Sequence, residues 1–176
     1  WGVQIDSEQF VKDYLDMGPA PSGGRGPNPR EVYVGDPHKE NCLGWGCYAP
    51  VIVKAVNKMA DREQLQVTEL SGRPLEELCS AYIHNDIPVI LWATVDMKDN
   101  CTYTYWTTPD GERIKYNNKL HCLLLVGYDE SYYYFHDPLK NTGEKKYIGY
   151  SKEKVEAAYD LLGLQAVIIE KEGGGT

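Results

Sequence analysis

Apolar and polar residues alternate with a helical period near the start of the chain. Residues 6–16 place Phe10 and Tyr14 on one face at a spacing typical of a helix. Asp6 stands three residues before Gln9, which is the spacing of a helix-capping pair. We therefore predict a helix over 6–16. It is followed by a loop, because the Gly- and Pro-rich stretch 18–30 shows no periodicity.

A second helix is predicted from a less obvious pattern. Residues 50–60 are rich in β-branched side chains, which favour a strand, but Lys54 and Lys58 lie four residues apart and give one polar stripe. Pro50 is compatible with a first helical turn, where a backbone N–H has no intrahelical partner. We expect a mostly buried helix that begins near Cys47.

The second half of the chain is dominated by short apolar runs bounded by turn residues. Helices early and antiparallel strands late define an α+β class. The remaining predicted elements are helices over 74–85 and 151–162, a hairpin over 101–117 that turns at Pro109-Asp110-Gly111, a short extended segment over 31–35, and strands over 87–95, 120–128, 131–137, 146–150 and 165–170.

Composition and charge limit the classes of molecule that the chain is expected to bind. The 176 residues are 42% hydrophobic, which is enough for one globular domain with a sizeable core. The formal net charge is −8 and no basic run exists, so a nucleic-acid partner and an anionic membrane surface are disfavoured. The apolar stretches are too short for a transmembrane segment. The chain begins at Trp1 rather than Met, which leads us to expect that something was removed. A signal peptide and a cloning choice both remain open as the reason.

The five cysteines are an odd number, so at least one thiol is free in a monomer. They form no CxxC pair and no cluster with zinc-like spacing, and we expect no metal and no cofactor. Cys47 has the most informative context, because it follows Gly46 at the start of a predicted helix. A buried structural thiol is the commoner role of a cysteine. Here, however, the positive helix end would favour a nucleophilic thiolate, and backbone N–H groups could hold an oxyanion.

His121 is the strongest of the four histidines as a proton acceptor. It lies at the start of a strongly apolar strand, where burial of a polar side chain is costly unless that side chain has a hydrogen-bond partner. A histidine in such a place is a candidate for proton transfer. Asp137 ends the next strand and could accept the second imidazole N–H, although Asp-Pro also simply begins many turns. A three-residue loop would pair Tyr128 with Tyr132 and place Asp137 opposite Leu123, on the face that also carries His121.

Two further sets of residues are candidates for binding. Asn41, six residues before Cys47, could donate its amide N–H to an oxyanion, and an ordinary loop role is equally open. Trp106, on the predicted hairpin, is the best candidate for an exposed wall of a substrate cleft. The full set of cleft candidates is Trp45, Gly46, Tyr48 and Trp106.

Three segments resemble motifs of the bacterial C39-like peptidases, which belong to the papain-like superfamily. They are 45–53 around the cysteine, 121–129 at the histidine and 134–138 at the acid, and 86–90 and 163–169 also fit. The resemblance spans 31–170. It implies a papain-like fold with N-terminal helices on a mostly antiparallel sheet. It also implies Cys47 as nucleophile, His121 as base and Asp137 as the residue that orients the histidine.

The resemblance also implies a domain organisation and a location. Residues 31–170 would be the catalytic domain, 1–30 a helix and loop of the same domain, and 171–176 a flexible tail. Free-standing relatives are generally exported, which favours an extracellular or cell-envelope location and leaves the cytoplasm open. The family's oxyanion side chain is typically a glutamine upstream of the cysteine. This chain has no Gln between 15 and 46, so Asn41 would be a shorter substitute.

The predicted function is a thiol hydrolase that cleaves a peptide or isopeptide amide of a peptide or protein substrate through an acyl-enzyme. A cell-wall amidase or an acyl transferase would use the same residues on another substrate. A catalytically inactive peptide-binding module and a disulfide-stapled secreted protein are alternatives of other classes. The sequence leaves the substrate and the oligomeric state open.

Overall fold

The computed structural model describes residues 4–39, 44–140 and 147–171, excluding the side chains of 44 and 60–63. The chain divides into two compact units. The first unit comprises 1–67, 102–118 and 170–176, and the second comprises 68–101 and 119–169.

The described residues combine helices with mostly antiparallel strands, which confirms the α+β prediction. The helices are α1 (Ser7–Asp13), α2 (Ala49–Glu63), α3 (Leu75–Ala81) and α4 (Lys152–Asp160). The strands are β1 (Met17–Gly18), β2 (Tyr33–Gly35), β3 (Gly44–Gly46), β4 (Leu65–Glu69), β5 (Val89–Thr94), β6 (Tyr103–Thr107), β7 (Arg113–Asn117), β8 (Leu120–Tyr128), β9 (Tyr132–His136), β10 (Ile148–Ser151) and β11 (Ala166–Lys171). Short 3₁₀ turns cover Ile83–Asn85, Val95–Met97 and Pro138–Lys140.

The first unit contains both helices predicted from the early part of the chain. Asp6 caps α1 by accepting the N–H of Gln9 at 2.7 Å, as the spacing predicted. The polar stripe of α2 is also confirmed, because Lys54 and Lys58 both bind the carboxylate of Asp16, Lys54 at 2.6 Å. The opposite face of α2 is buried, and its apolar side chains fix the position of the helix start at which Cys47 lies.

The second unit is built on antiparallel strands in the order β10-β9-β8-β5-β11. Side chains alternate between the two faces of each strand, so Leu123 and Leu125 of β8 are buried while their neighbours are more exposed. Phe135 of β9 joins them, and α3 and α4 contribute Leu78 and Val155 to the same core.

The β8–β9 hairpin reaches the predicted register near Asp137 by an unpredicted route. Tyr128 pairs with Tyr133, so the expected pairing with Tyr132 is wrong. The Asp129 carboxylate accepts the N–H of Tyr132 at 2.8 Å and thereby lengthens the loop by one residue. A bulge between Leu125 and Gly127 restores the register, because it inserts one extra residue in β8.

Beyond the bulge, Leu124 pairs with His136. Continuing this register by one residue places Asp137 opposite Leu123, as predicted. Asp137 and His121 are consequently both buried on one face of the hairpin, while His136 is exposed on the other.

Candidate active site

His121 and Asp137 form a buried hydrogen-bonded pair in the second unit. Nε2 of His121 lies 2.8 Å from Oδ1 of Asp137, and each residue is only 8% exposed. His121 is the second residue of β8, and Asp137 follows the last residue of β9. The two neighbouring strands therefore bring together residues that are 16 positions apart in the sequence.

The Asp137 carboxylate receives hydrogen bonds on both oxygens. Oδ1 accepts the backbone N–H of Leu139 at 3.0 Å in addition to the His121 contact, and Oδ2 accepts the hydroxyl of Tyr150 at 3.0 Å. Donors on both oxygens fix the orientation of the carboxylate.

The geometry of the pair assigns different roles to the two imidazole nitrogens. An ionised carboxylate is an acceptor only, so Nε2 carries the proton that is shared with Asp137. Nδ1 of the neutral imidazole is then the acceptor. His121 can consequently receive a proton at Nδ1 while Asp137 stabilises the resulting imidazolium.

The other histidines have exposed positions. His136 is exposed and faces away from the buried pair, and His84 is exposed in a 3₁₀ turn. His38 is also exposed, and its Nδ1 lies 3.2 Å from Oε1 of Glu8. Among the four, His121 is the one held by a buried acid.

Cys47 lies in the first unit at the start of α2. It is two residues before Ala49, the first helical residue, and Tyr48 is the N-cap. The Cys47 side chain is 6% exposed and packs with Leu15 and Val51. The position beside the positive end of a 15-residue helix is one that favours a thiolate.

Two other cysteines have the opposite environment. Burial raises the pKa of Cys79 to about 11 and that of Cys122 to about 12. Both are therefore neutral thiols at physiological pH and are poor nucleophiles. Cys101 is partly exposed and lies outside any helix start, while Cys42 lies outside the described residues.

Aromatic side chains surround the segment that leads to Cys47. The ring of Trp45 meets Tyr116 edge-on at 5.3 Å, and the Tyr116 hydroxyl donates to the carbonyl of Trp45. Tyr48 stacks on the same Tyr116 ring at 6.2 Å, and Arg30 lies over Tyr48. Burial, followed by neighbouring groups that include Cys47, raises the pKa of Tyr116, so its hydroxyl remains a donor.

The expectation that the hairpin exposes Trp106 is wrong. Trp106 is 2% exposed, contacts Trp45 edge-on at 5.5 Å, and donates its indole N–H to the carbonyl of Pro27 at 2.8 Å. The strand β6 turns Trp106 inward and leaves Tyr105, its neighbour, 49% exposed. Trp106 thus packs behind Trp45, whereas Trp45 and Tyr48 keep partial exposure.

Gly46 has a backbone conformation that glycine tolerates better than other residues. Its φ is +124°, in the last residue of β3, immediately before Cys47. Asn41, the candidate oxyanion donor, lies outside the described residues. Its proposed role therefore stays a prediction.

Tyr150 and the Leu139 N–H are site contacts that the sequence analysis missed. The alternation of β10 does place Tyr150 on the same face as Tyr133, its inward-facing partner. That signal locates Tyr150 on the core side but does not identify its contact with Asp137, which depends on the positions of β9 and β10.

The described residues contain no group of three or more His, Cys, Asp or Glu residues arranged to hold a metal ion. None of the described helices is both long and apolar enough to cross a membrane.

Comparisons with known proteins agree with this fold. The Bacillus subtilis (strain 168) protein YvpB, which is uncharacterized, is 27% identical over 151 residues that cover 85% of this chain and 56% of YvpB. The chain thus spans about half the length of that relative. A crystal structure of a candidate C39-like peptidase from Bacillus anthracis matches with a TM-score of 0.82 at 24% identity. The match covers 97% of this chain and 82% of that one.

The structural match confirms the predicted fold, which is that of a C39-like peptidase. The family model described as "Peptidase_C39 like family" matches residues 1–167, nearly the whole chain. This chain therefore belongs to the peptidase C39-like family.

Proposed function

We propose that this chain is a thiol hydrolase that cleaves a peptide or isopeptide amide, with Cys47 as nucleophile, His121 as general base and acid, and Asp137 as the residue that orients His121. The observation that carries the proposal is the buried hydrogen bond between Nε2 of His121 and Oδ1 of Asp137. It leaves Nδ1 as the acceptor, which is the state a proton-transferring histidine requires.

The proposed reaction has two halves. Nδ1 of His121 takes the thiol proton of Cys47, and the sulfur attacks the amide carbonyl to form a tetrahedral intermediate. The C–N bond breaks as His121 returns the proton to the leaving amine, which leaves a thioester on Cys47. His121 then takes a proton from water, the hydroxide displaces the thiolate from the acyl group, and the acid product and free Cys47 result.

Family membership and fold support the class of reaction, and the substrate is a further proposal. We propose a peptide or protein substrate met outside the cell or in the cell envelope. A cell-wall amidase or an acyl transferase would use the same first half-reaction. They would differ only in the amide that is attacked or in the acceptor that replaces water.

A binding module that has lost catalysis is the contrasting function. The buried pair argues against it, because a surface used only for binding gains nothing from a histidine held by an acid in one tautomer. A disulfide-stapled protein is also disfavoured, since the buried cysteine Cys79 and the cysteine Cys122 of β8 are free thiols.

Alkylation separates the enzyme from the binding module. Iodoacetamide at neutral pH, followed by peptide mapping, should modify Cys47 far faster than the other cysteines. The Cys122→Ala variant is the control, because it removes a thiol that burial already keeps neutral. Equal modification of all accessible thiols would contradict the proposal.

Hydrolysis is then measured on a peptide library and on purified cell wall. Cys47→Ala should lose all activity while it keeps the folded spectrum, and Cys122→Ala should retain activity. Loss of activity in Cys122→Ala alone would refute the assignment of the nucleophile.

A further inference from the structure

Tyr150 contacts the oxygen of Asp137 that His121 does not use. Its hydroxyl donates to Oδ2 of Asp137 at 3.0 Å, whereas Oδ1 receives Nε2 of His121 and the N–H of Leu139. The side chain of Asp137 is only 2% exposed, so these donors, rather than bulk water, solvate its charge. The Tyr150 ring is held against Phe135, with 6.1 Å between the ring centroids.

The other charges near this carboxylate are already paired with each other. The ammonium of Lys140 interacts electrostatically with Asp137, but it forms its ion pair with Asp96, at 2.7 Å from Oδ1. Asp96 in turn also binds Lys98 at 3.1 Å. Among the described residues, the side chains that form a hydrogen bond directly with the Asp137 carboxylate are those of His121 and Tyr150.

We propose that Tyr150 is a positioning residue of the hydrolase: its hydroxyl holds the Asp137 carboxylate in the orientation that receives Nε2 of His121, and it limits the negative charge that Asp137 presents to the imidazole. This inference rests on the proposed function for its role in catalysis. The contact itself, and its effect on His121, can be measured without any substrate.

Tyr150 is suited to be a permanent donor. Burial raises the pKa of its hydroxyl, and the hydrogen bond to Asp137 raises it further. The hydroxyl consequently stays protonated throughout the pH range in which an imidazole titrates. A neutral donor that cannot lose its proton fixes Asp137 without adding a second titrating group.

Removal of the Tyr150 hydroxyl should shift the protonation of His121 in one direction. A hydrogen bond to a carboxylate stabilises the charged form and reduces its pull on a neighbouring proton. Without the Tyr150 hydroxyl, Asp137 is still held through Oδ1, but more of its charge acts on His121. The imidazolium becomes more stable, and the pKa of His121 should rise.

The test is an NMR titration of the His121 imidazole in a Cys47→Ala background, which removes any coupling to the thiol. Tyr150→Phe should move the His121 midpoint to higher pH. Tyr159→Phe is the matched control, because it removes a hydroxyl that donates at 3.1 Å to the carbonyl of Arg73 in the same unit. An unchanged or lowered midpoint in Tyr150→Phe, or an equal rise in both variants, would overturn the proposal.

A kinetic comparison in the active chain adds the catalytic consequence. Tyr150→Phe should lower kcat about tenfold with little change in KM, since the loss of one hydrogen bond to a charged group typically costs at least about that factor. Tyr159→Phe should keep the parent rate. If the parent hydrolyses nothing, the proposed function fails, and the titration still decides whether Tyr150 acts on the pair.

A second measurement covers the case in which Tyr150→Phe does not fold. Incorporation of 3-fluorotyrosine makes every tyrosine hydroxyl a stronger donor while it leaves the ring nearly unchanged in size. The His121 midpoint should then move to lower pH, opposite to the effect of removing the hydroxyl. A midpoint that does not move under fluorination would refute the role of Tyr150.

Discussion

The ammonium of Lys140 lies 2.7 Å from Oδ1 of Asp96, and this ion pair links the end of β5 to the turn that follows Asp137. The pair lowers the pKa of Asp96, first through Lys140 and then through Lys98. Asp96 has a left-handed backbone with φ +58°, which asparagine tolerates well. Asp96→Asn therefore removes the charge without adding backbone strain.

We expect Asp96→Asn to reduce the free energy of unfolding at neutral pH by no more than about 1 kcal/mol, because the pair is partly exposed. A carboxyl whose folded pKa is depressed stabilises the fold above its unfolded pKa, and that stability is lost as the pH falls through the folded value. The difference from the parent should consequently vanish in strong acid. Urea melts at several pH values test this, and a difference that persists in acid would contradict the electrostatic cause.

His121→Ala should reduce hydrolysis by a factor of about 10²–10⁴, the range that general acid–base catalysis contributes. His136→Ala is the matched control, since His136 lies on the exposed face of the same hairpin and should leave the rate nearly unchanged. The rate of Cys47 alkylation at neutral pH should fall in the first variant only. Full activity in His121→Ala would refute its role as the base.

Periodic patterns within one helix or one hairpin were enough to predict which faces of these elements are polar or buried. The spacing of Lys54 and Lys58 identified α2 as a helix against its β-branched composition, and the structure places both ammonium groups on Asp16. Strand alternation likewise put His121 and Asp137 on one buried face. The route to that register was wrong, because the contact of the Asp129 side chain with Tyr132 sets the loop length.

The parts that the sequence analysis missed depend on contacts that no pattern within one strand or one hairpin reveals. Tyr150 meets Asp137 because β10 pairs with β9, and an alternating pattern in one strand does not reveal what the next strand carries. Trp106 was expected on the surface of its hairpin. It is buried because Pro27, 79 positions away, accepts its indole N–H and because Trp45 packs on its ring.

Trp106→Phe should lower stability by about 2–3 kcal/mol, because it leaves the part-buried carbonyl of Pro27 without its donor and loses the packing of a buried indole. Tyr105→Phe, on the exposed face of the same strand, should change stability by less than about 0.5 kcal/mol. Denaturant melts measure both effects. A raised KM with unchanged stability in Trp106→Phe would instead make Trp106 part of the substrate cleft.

Gly46→Ala tests whether the backbone before Cys47 needs its unusual conformation. At φ +124° an alanine is strained, since this φ lies outside the regions that L-residues normally occupy. The strain should cost about 1–3 kcal/mol of stability or be relieved by a shift of β3 relative to β2, where Gly46 pairs with Val34. A shift of β3 would displace the residue that precedes the nucleophile, so the rate of Cys47 alkylation should then fall together with hydrolysis.

Gly127→Ala is the matched control for that variant. Gly127 lies in β8 with a φ outside the left-handed region, and an added Cβ would meet Tyr134 at an ordinary 3.8 Å. We expect this variant to stay within about 0.5 kcal/mol of the parent and to keep its alkylation rate. Gly46→Ala could instead match Gly127→Ala in both stability and the rate of Cys47 alkylation. That result would mean that residue 46 adopts an ordinary φ without moving Cys47. Glycine would then not be required for the position of the nucleophile.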